Sequence, residues 1–174
     1  RYARLNKIAI DFDLGKKSPY SMDANILHTS YEGGILEDPW KSPEESMWLR
    51  TKSIEKSANK ADILELEFKN GDVIKVNKKI LSPFKVLEKL NQLAGKHGIG
   101  RIDIVENRYV GIKSRGCYET PGGTIYHKAH KAMESITMDR ELLHLKEDLA
   151  NRYTRLIYNG YWFSPERESL QKLI

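Results

Sequence analysis

Cysteine is nearly absent: Cys117 is the only one in 174 residues. A lone cysteine cannot pair within its own chain, which excludes an internal disulfide framework and leads us to expect a reducing compartment. Long apolar runs are missing too. None approaches the roughly 20 residues that cross a bilayer as a helix. The opening RYARLNKIAIDFD has neither the unbroken apolar core nor the small-residue cleavage site of a signal peptide, so we expect a soluble chain with no membrane partner. Blocks of one charge are also scarce. The 29 Lys and Arg are scattered among 24 Asp and Glu, so the net charge of +5 and pI near 9.1 describe a mixed, solvated surface with some attraction for small anions. A nucleic-acid module needs a basic face with exposed aromatics, and Lys78-Lys79 does not make one. The sequence contains no internal repeat or low-complexity tract, and it begins without methionine and ends without a polar tail. We therefore expect a piece of a longer protein.

What is present fits one domain, large enough to bury about two-thirds of the surface its unfolded form exposes without a disulfide or metal staple. Residues 1–17 alternate loosely around Ile8, Ile10 and Phe12, which reads as a short strand leading into the linker Gly15-Lys16-Lys17. From 18 to 38, polar residues surround single apolar ones and Gly33-Gly34 marks a bend. Residues 39–59 read as a long surface connection whose apolar points are Trp40, Met47, Trp48 and Leu49. The clearest local pattern follows. Leu64, Leu66 and Phe68 alternate with Glu65 and Glu67, Asn70-Gly71 supplies the two left-handed positions of a type I′ turn, and Ile74 and Val76 resume the alternation: a β-hairpin.

Ser82 predicts an N-cap with Pro83 at the first helical position and a stripe of Phe84, Leu87, Leu90 and Ala94 ending at Gly95. Thr124 predicts the cap of a second helix with Ile125, Ala129, Ala132 and Ile136 on one face. Leu142, Leu145, Leu149, Tyr153 and Leu156 mark a third that ends near Gly160, and both are expected to pack on the sheet. Ser164-Pro165 starts a last helix. Strands and helices mixed without regular alternation predict an α+β domain, a mixed sheet with a β-hairpin packed by several helices.

Several groupings invite chemistry. Gly95-Lys96-His97-Gly98-Ile99-Gly100-Arg101 has the glycines of a phosphate cradle but fails the Walker spacing, and reads as a helix-ending turn. His127, His130 and Glu134 share a helix face, yet no second ligand segment accompanies them, so no metal site is predicted. Cys117 has no base beside it in sequence to lower its pKa, and Ser21, Asp23 and His28 do not by themselves make a triad.

Glu106 differs. Ile102, Ile104, Val110 and Ile112 flank Glu106, Asn107 and Arg108, and a carboxylate in a strand-like apolar run is costly to bury unless it is paired or reaches a ligand. Pairing with Arg108 or Arg115 and contact with a ligand are equal readings of the residues alone. The following Ser114–Gly123, rich in Gly and with Pro121, reads as an ordered loop before a helix.

The run Asp103-Ile104-Val105-Glu106-Asn107-Arg108, with Lys113-Ser114-Arg115-Gly116 and Tyr118-Glu119-Thr120-Pro121-Gly122-Gly123, resembles argininosuccinate synthase. So do Tyr20-Ser21-Met22-Asp23, the run from Ser30 to Pro39, the Gly95–Arg101 segment and Trp162-Phe163-Ser164-Pro165, all in the family's order. The resemblance implies a cytoplasmic, ATP-dependent carbon-nitrogen ligase of arginine biosynthesis, joining citrulline to aspartate with release of AMP and pyrophosphate. It implies that residues 1–17 end a preceding nucleotide-binding domain and that 18–174 form the synthetase and multimerisation domain. On this reading the catalytic and ATP-binding groups, with Mg2+, lie mainly in the other half, and the chain alone is inactive.

The family's citrulline-binding positions fall on Ser21, Ser30, Glu106 and Tyr118. A carboxylate suits an ammonium, and hydroxyls suit carboxylate or ureido groups. The partners implied are citrulline, aspartate and ATP, with a homotetramer as the assembled form. The alternative is a non-catalytic assembly or regulatory domain of the same family.

Overall fold

The computed structural model describes residues 2–8 and 20–174. Tyr2–Leu5 forms one helical turn, α1, and the Ile10 and Phe12 of the expected strand lie outside the described residues.

The α+β class read from the sequence is what the chain adopts, with its strands divided between two sheets and every pairing among the described residues antiparallel. The larger sheet is built from β1 (Ser21–Ala24), β2 (Thr29–Glu32), β6 (Arg101–Asn107) and β7 (Lys113–Glu119), in the order β1-β2-β7-β6. The smaller contains β3 (Leu66–Lys69), β4 (Asp72–Val76) and β5 (Lys79–Ile80) in sequence order.

The expected hairpin is β3 and β4, with Asn70 and Gly71 at φ 52° and 86°, the left-handed pair of a type I′ turn. Its alternation is broken by a shift of register between Glu67 and Phe68. Val73 and Val76 are therefore the buried residues of β4, in place of an even Ile74 and Val76 face. Asn77 and Lys78, both at positive φ, turn the chain back into β5.

Helix α2 (Pro83–Lys96) starts as expected, Ser82 Oγ accepting the Lys85 N–H. It buries Val86 and Leu90 against the small sheet, with Ala94 also buried and Phe84 turned to solvent. The connection from 39 to 59 docks on its end: a Cβ at Gly95 would fall on the Arg50 carbonyl, and Lys52 N–H donates to Gly95 O at 3.0 Å. Gly98 and Gly100, at φ 67° and 110°, then turn the chain into β6, so the glycine-rich segment ends a helix as its spacing indicated.

Two expectations fail in the next stretch. Lys113–Glu119 is a central strand, not a loop, and α3 (Pro121–Thr137) follows it directly, with Thr120 at the cap position four residues before Thr124 would have placed it. Thr124 instead turns inward, its hydroxyl donating to Thr120 O at 2.7 Å. Helix α3 packs on α2.

Helix α4 (Arg140–Tyr158), capped by Asp139, has no buried residue and packs mainly with α5 (Pro165–Gln171). Its expected docking across the sheet reduces to a contact at its last turn, described below. Among the described residues no helix is long and apolar enough to cross a membrane.

Candidate functional site

Residues directly opposite one another in an antiparallel ladder point to the same face. Ser21 lies opposite Glu32, Ser30 opposite Tyr118, Gly116 opposite Ile104 and Ser114 opposite Glu106. One face of the large sheet therefore carries Ser21, Ser30, Glu106 and Tyr118 together, joined by Glu32 and Ser114. The reverse face carries Tyr31 and Cys117, both fully buried with Leu36 and Met47 in the core beneath.

Glu106 is the centre of the polar face. Its side chain is 10% exposed. Tyr118 donates its hydroxyl to Oε1 at 2.8 Å, and Tyr158, from the last turn of α4, donates to Oε2 at 3.1 Å. Burial, then the Glu106 contact, raises the pKa of both phenols, which keeps them as donors. Arg108 approaches Oε1 only to 3.7 Å. Its guanidinium is taken by Glu32 at 2.8 Å and by the Ser114 hydroxyl at 3.0 Å, and the Glu32 bond raises its pKa.

Arg115 turns to the reverse face and pairs with Asp103 at 2.5 and 3.0 Å. Neither arginine hydrogen-bonds to Glu106, and Arg108 remains an ion pair with it at 3.7 Å. A carboxylate has about four lone-pair directions and the two phenols occupy two, so capacity remains for one more charged donor.

Gly116 makes the arrangement possible. A Cβ there would fall on Glu106 Oε1 and 2.8 Å from the Tyr118 hydroxyl. Its φ is ordinary, so the requirement is for space. Beside this point Ser21, Glu32, Arg108 and Ser114 line an open pocket of about 470 Å³. A larger groove of about 560 Å³ between the small sheet, α2 and α3 is lined mostly by apolar residues such as Val73, Leu81 and Val86, and lies apart from these polar groups. The smaller pocket has the convergent polar groups a ligand site needs, and of the four predicted residues Ser21 lines it while Ser30, Glu106 and Tyr118 do not.

Two neighbours stiffen the face. The His28 ring stacks on Tyr118 with centroids 5.3 Å apart, and its Nδ1 meets Thr120 Oγ1 at 2.7 Å. Burial, then Arg50, lowers the His28 pKa and favours the neutral ring. Glu119, fully buried under β7, accepts the backbone N–H groups of Leu49, Arg50 and Thr51 at 2.9 to 3.0 Å and the hydroxyls of Tyr31 and Thr51 at 2.6 Å.

Residues 20–174 match the family model described as the Arginosuccinate synthase C-terminal domain. The chain belongs to that family. It is 64% identical over 173 residues to the argininosuccinate synthase of Nitrosococcus oceani, covering 99% of this chain and 43% of that protein. It is 62% identical over 174 residues to that of Nitratiruptor sp., covering 100% and 43%, and 61% identical over 173 residues to that of Campylobacter fetus subsp. fetus, covering 99% and 42%. The chain thus spans about 43% of the length of the curated relatives it matches.

In this argininosuccinate synthase C-terminal domain, all four residues singled out from the sequence meet on one face. Sequence reasoning missed Glu32 and Ser114, because neither β2 nor β7 has an apolar alternation that announces a strand. It placed Arg108 only as a rival partner of Glu106 and gave Tyr158 no role in the site. The remaining candidates have structural partners. Cys117 is buried, its thiol pushed up to about 12 first by burial and then by Asp103. His130 stacks on Tyr126 and meets Glu134 at 3.4 Å. His28 bonds to Thr120 instead of joining Ser21 and Asp23.

Proposed function

We propose that this chain is the synthetase and multimerisation part, from residue 18 onward, of an argininosuccinate synthase, and that its polar sheet face holds citrulline. The observation that carries the reading is the shielded Glu106 carboxylate, held between two phenols and lacking a direct arginine bond, within the same face as the Ser21 and Ser30 hydroxyls. Among the described residues neither serine hydroxyl bonds to another protein group, so both are free for a ligand. Glu106 suits the ammonium of an amino acid, and serine and tyrosine hydroxyls suit its carboxylate and ureido ends.

In the ligation the citrulline ureido oxygen attacks the α-phosphorus of ATP, pyrophosphate leaves, and the aspartate amine displaces AMP from the citrullyl adenylate. This chain binds and orients citrulline. ATP with Mg2+ and most aspartate contacts belong to residues outside it, in a cytoplasmic nucleotide-binding half of which residues 1–17 are the last piece. A lone carboxylate beside Arg108 suits an ammonium better than a divalent cation. The sequence holds no Ser-Gly-Gly-Leu-Asp loop, and we expect the 174-residue chain by itself to make no argininosuccinate.

Glu106→Gln in the full-length protein tests the assignment. It removes the charge facing the ammonium, and a charge-assisted hydrogen bond is worth about 1.5 to 3 kcal/mol, so the citrulline KM should rise at least about tenfold with ATP binding unchanged. An unchanged citrulline KM would return Glu106 to a structural role.

A second reading has its own observation. Leu142, Leu145 and Ile157 of α4, with Trp162 and Phe163 after it, are exposed in the single chain, which favours contact between copies. We assign this face to a homotetramer interface, compatible with the ligase reading and sufficient for a purely assembly role.

A further inference from the structure

The last turn of α4 is held to the sheet by hydroxyl contacts. Tyr158 donates to Glu106 Oε2 at 3.1 Å, and three residues on, the Tyr161 hydroxyl meets that of Tyr109 at 2.8 Å, just beyond the end of β6. The rest of α4 has no buried residue, so apolar packing does not explain why its end comes to rest on the one shielded carboxylate of the polar face. Geometry on the Glu106 side is equally specific. Tyr118 holds Oε1 from the strand beside it, and Arg108, turned away by Glu32 and Ser114, makes no close bond to either oxygen. Without Tyr158, Oε2 has no protein donor among the described residues, and rotation about the terminal side-chain bond, which is broad, is unopposed.

We propose that Tyr158 is a positioning residue for citrulline binding: its phenol fixes the Glu106 carboxylate in the orientation that receives the substrate ammonium. The inference rests on the assignment of Glu106 to citrulline. It makes the end of α4 part of the substrate site, although Tyr158 acts through Glu106 and not on the reacting atoms.

The test is a double-mutant cycle in the full-length enzyme, with Tyr161→Phe as a control. Tyr158→Phe keeps the ring and removes the donor. The citrulline KM should rise about five- to tenfold, with the ATP and aspartate constants and the melting temperature unchanged. In a Glu106→Gln background the same substitution should add less than twofold, because the group it positions is gone. Tyr161→Phe, which breaks the neighbouring hydroxyl pair and leaves Glu106 untouched, should leave the citrulline KM as it is.

A Tyr158→Phe enzyme with wild-type citrulline KM, full additivity with Glu106→Gln, or an equal effect from Tyr161→Phe would each overturn the positioning role. If Glu106→Gln alone leaves the citrulline KM unchanged, the assignment of Glu106 fails first, and the positioning role fails with it.

Discussion

Gly116→Ala separates what the polar face does from what holds it together. A methyl at this position lands on Glu106 Oε1 and 2.8 Å from the Tyr118 hydroxyl, closer than non-bonded atoms sit. The backbone has no reason to object, since φ at 116 is ordinary and alanine costs less conformational entropy in a strand than glycine, by about 0.5 to 1 kcal/mol. The atoms in the way are the far ends of two side chains. The carboxylate therefore moves by about an ångström and gives up its Tyr118 bond.

An overpacked rigid site costs about 1 to 3 kcal/mol, but a site that yields through side-chain rotation costs less, so stability should change by no more than about 1 kcal/mol. Binding should change much more. Loss of the aligned charge-assisted bond to an ammonium removes about 1.5 to 3 kcal/mol, which is roughly 10- to 150-fold in the citrulline constant. Steady-state kinetics of the full-length protein with each substrate varied in turn, together with a thermal melt, read both quantities. A citrulline constant within twofold of wild type would refute the reasoning, because the carboxylate would then be shown not to matter where it stands.

Glu119→Gln should act oppositely, on stability: one of the five donors that converge on the buried carboxylate would face an amide N–H. A cost of about 3 kcal/mol, or a melting temperature lower by about 6 to 12 °C, is expected, with faster hydrogen exchange at the amides of 49, 50 and 51; a drop under about 2 °C would mean that the clamp is not needed. The full-length protein should scatter light as a tetramer, with Leu145→Asp on the exposed face of α4 shifting it toward smaller species on dilution. A strict monomer at every concentration would leave that face without the proposed partner.

The local signals that could be read from the sequence were those that depend on nearest neighbours. Asn70-Gly71 needs only its own dihedral angles to make a turn, and Ser82-Pro83 and Ser164-Pro165 cap helices with atoms three residues away. Lys113–Glu119 defeated the same reasoning. Its alternate residues are Ser114, Gly116 and Tyr118 on one side and Arg115, Cys117 and Glu119 on the other, so neither side looks like a core. The burial of Glu119 is intelligible only once Leu49, Arg50 and Thr51 bring their N–H groups to it from some seventy residues away. Likewise the register shift at Glu67 could not be foreseen from an alternation that continued undisturbed in the sequence.

The same strand explains why the candidate site residues were easier to single out than the fold around them. A central strand ordinarily has at least one apolar face, and β7 departs from this in two ways. Beneath, a buried acid gathers the donors of a distant loop, which spares that loop unsatisfied N–H groups and fixes the connection that docks on the end of α2. Above, a glycine leaves the space in which Glu106 and Tyr118 meet. Glycine and acid each weaken the strand pattern, and each is there because something must approach the backbone closely. A carboxylate stranded in an apolar run was visible as a local conflict in the sequence, and such conflicts concentrate at sites of function. What the sequence could not show is that the resolving partners come from β7 beside it and from Tyr158 at the end of α4, 52 residues further along the chain.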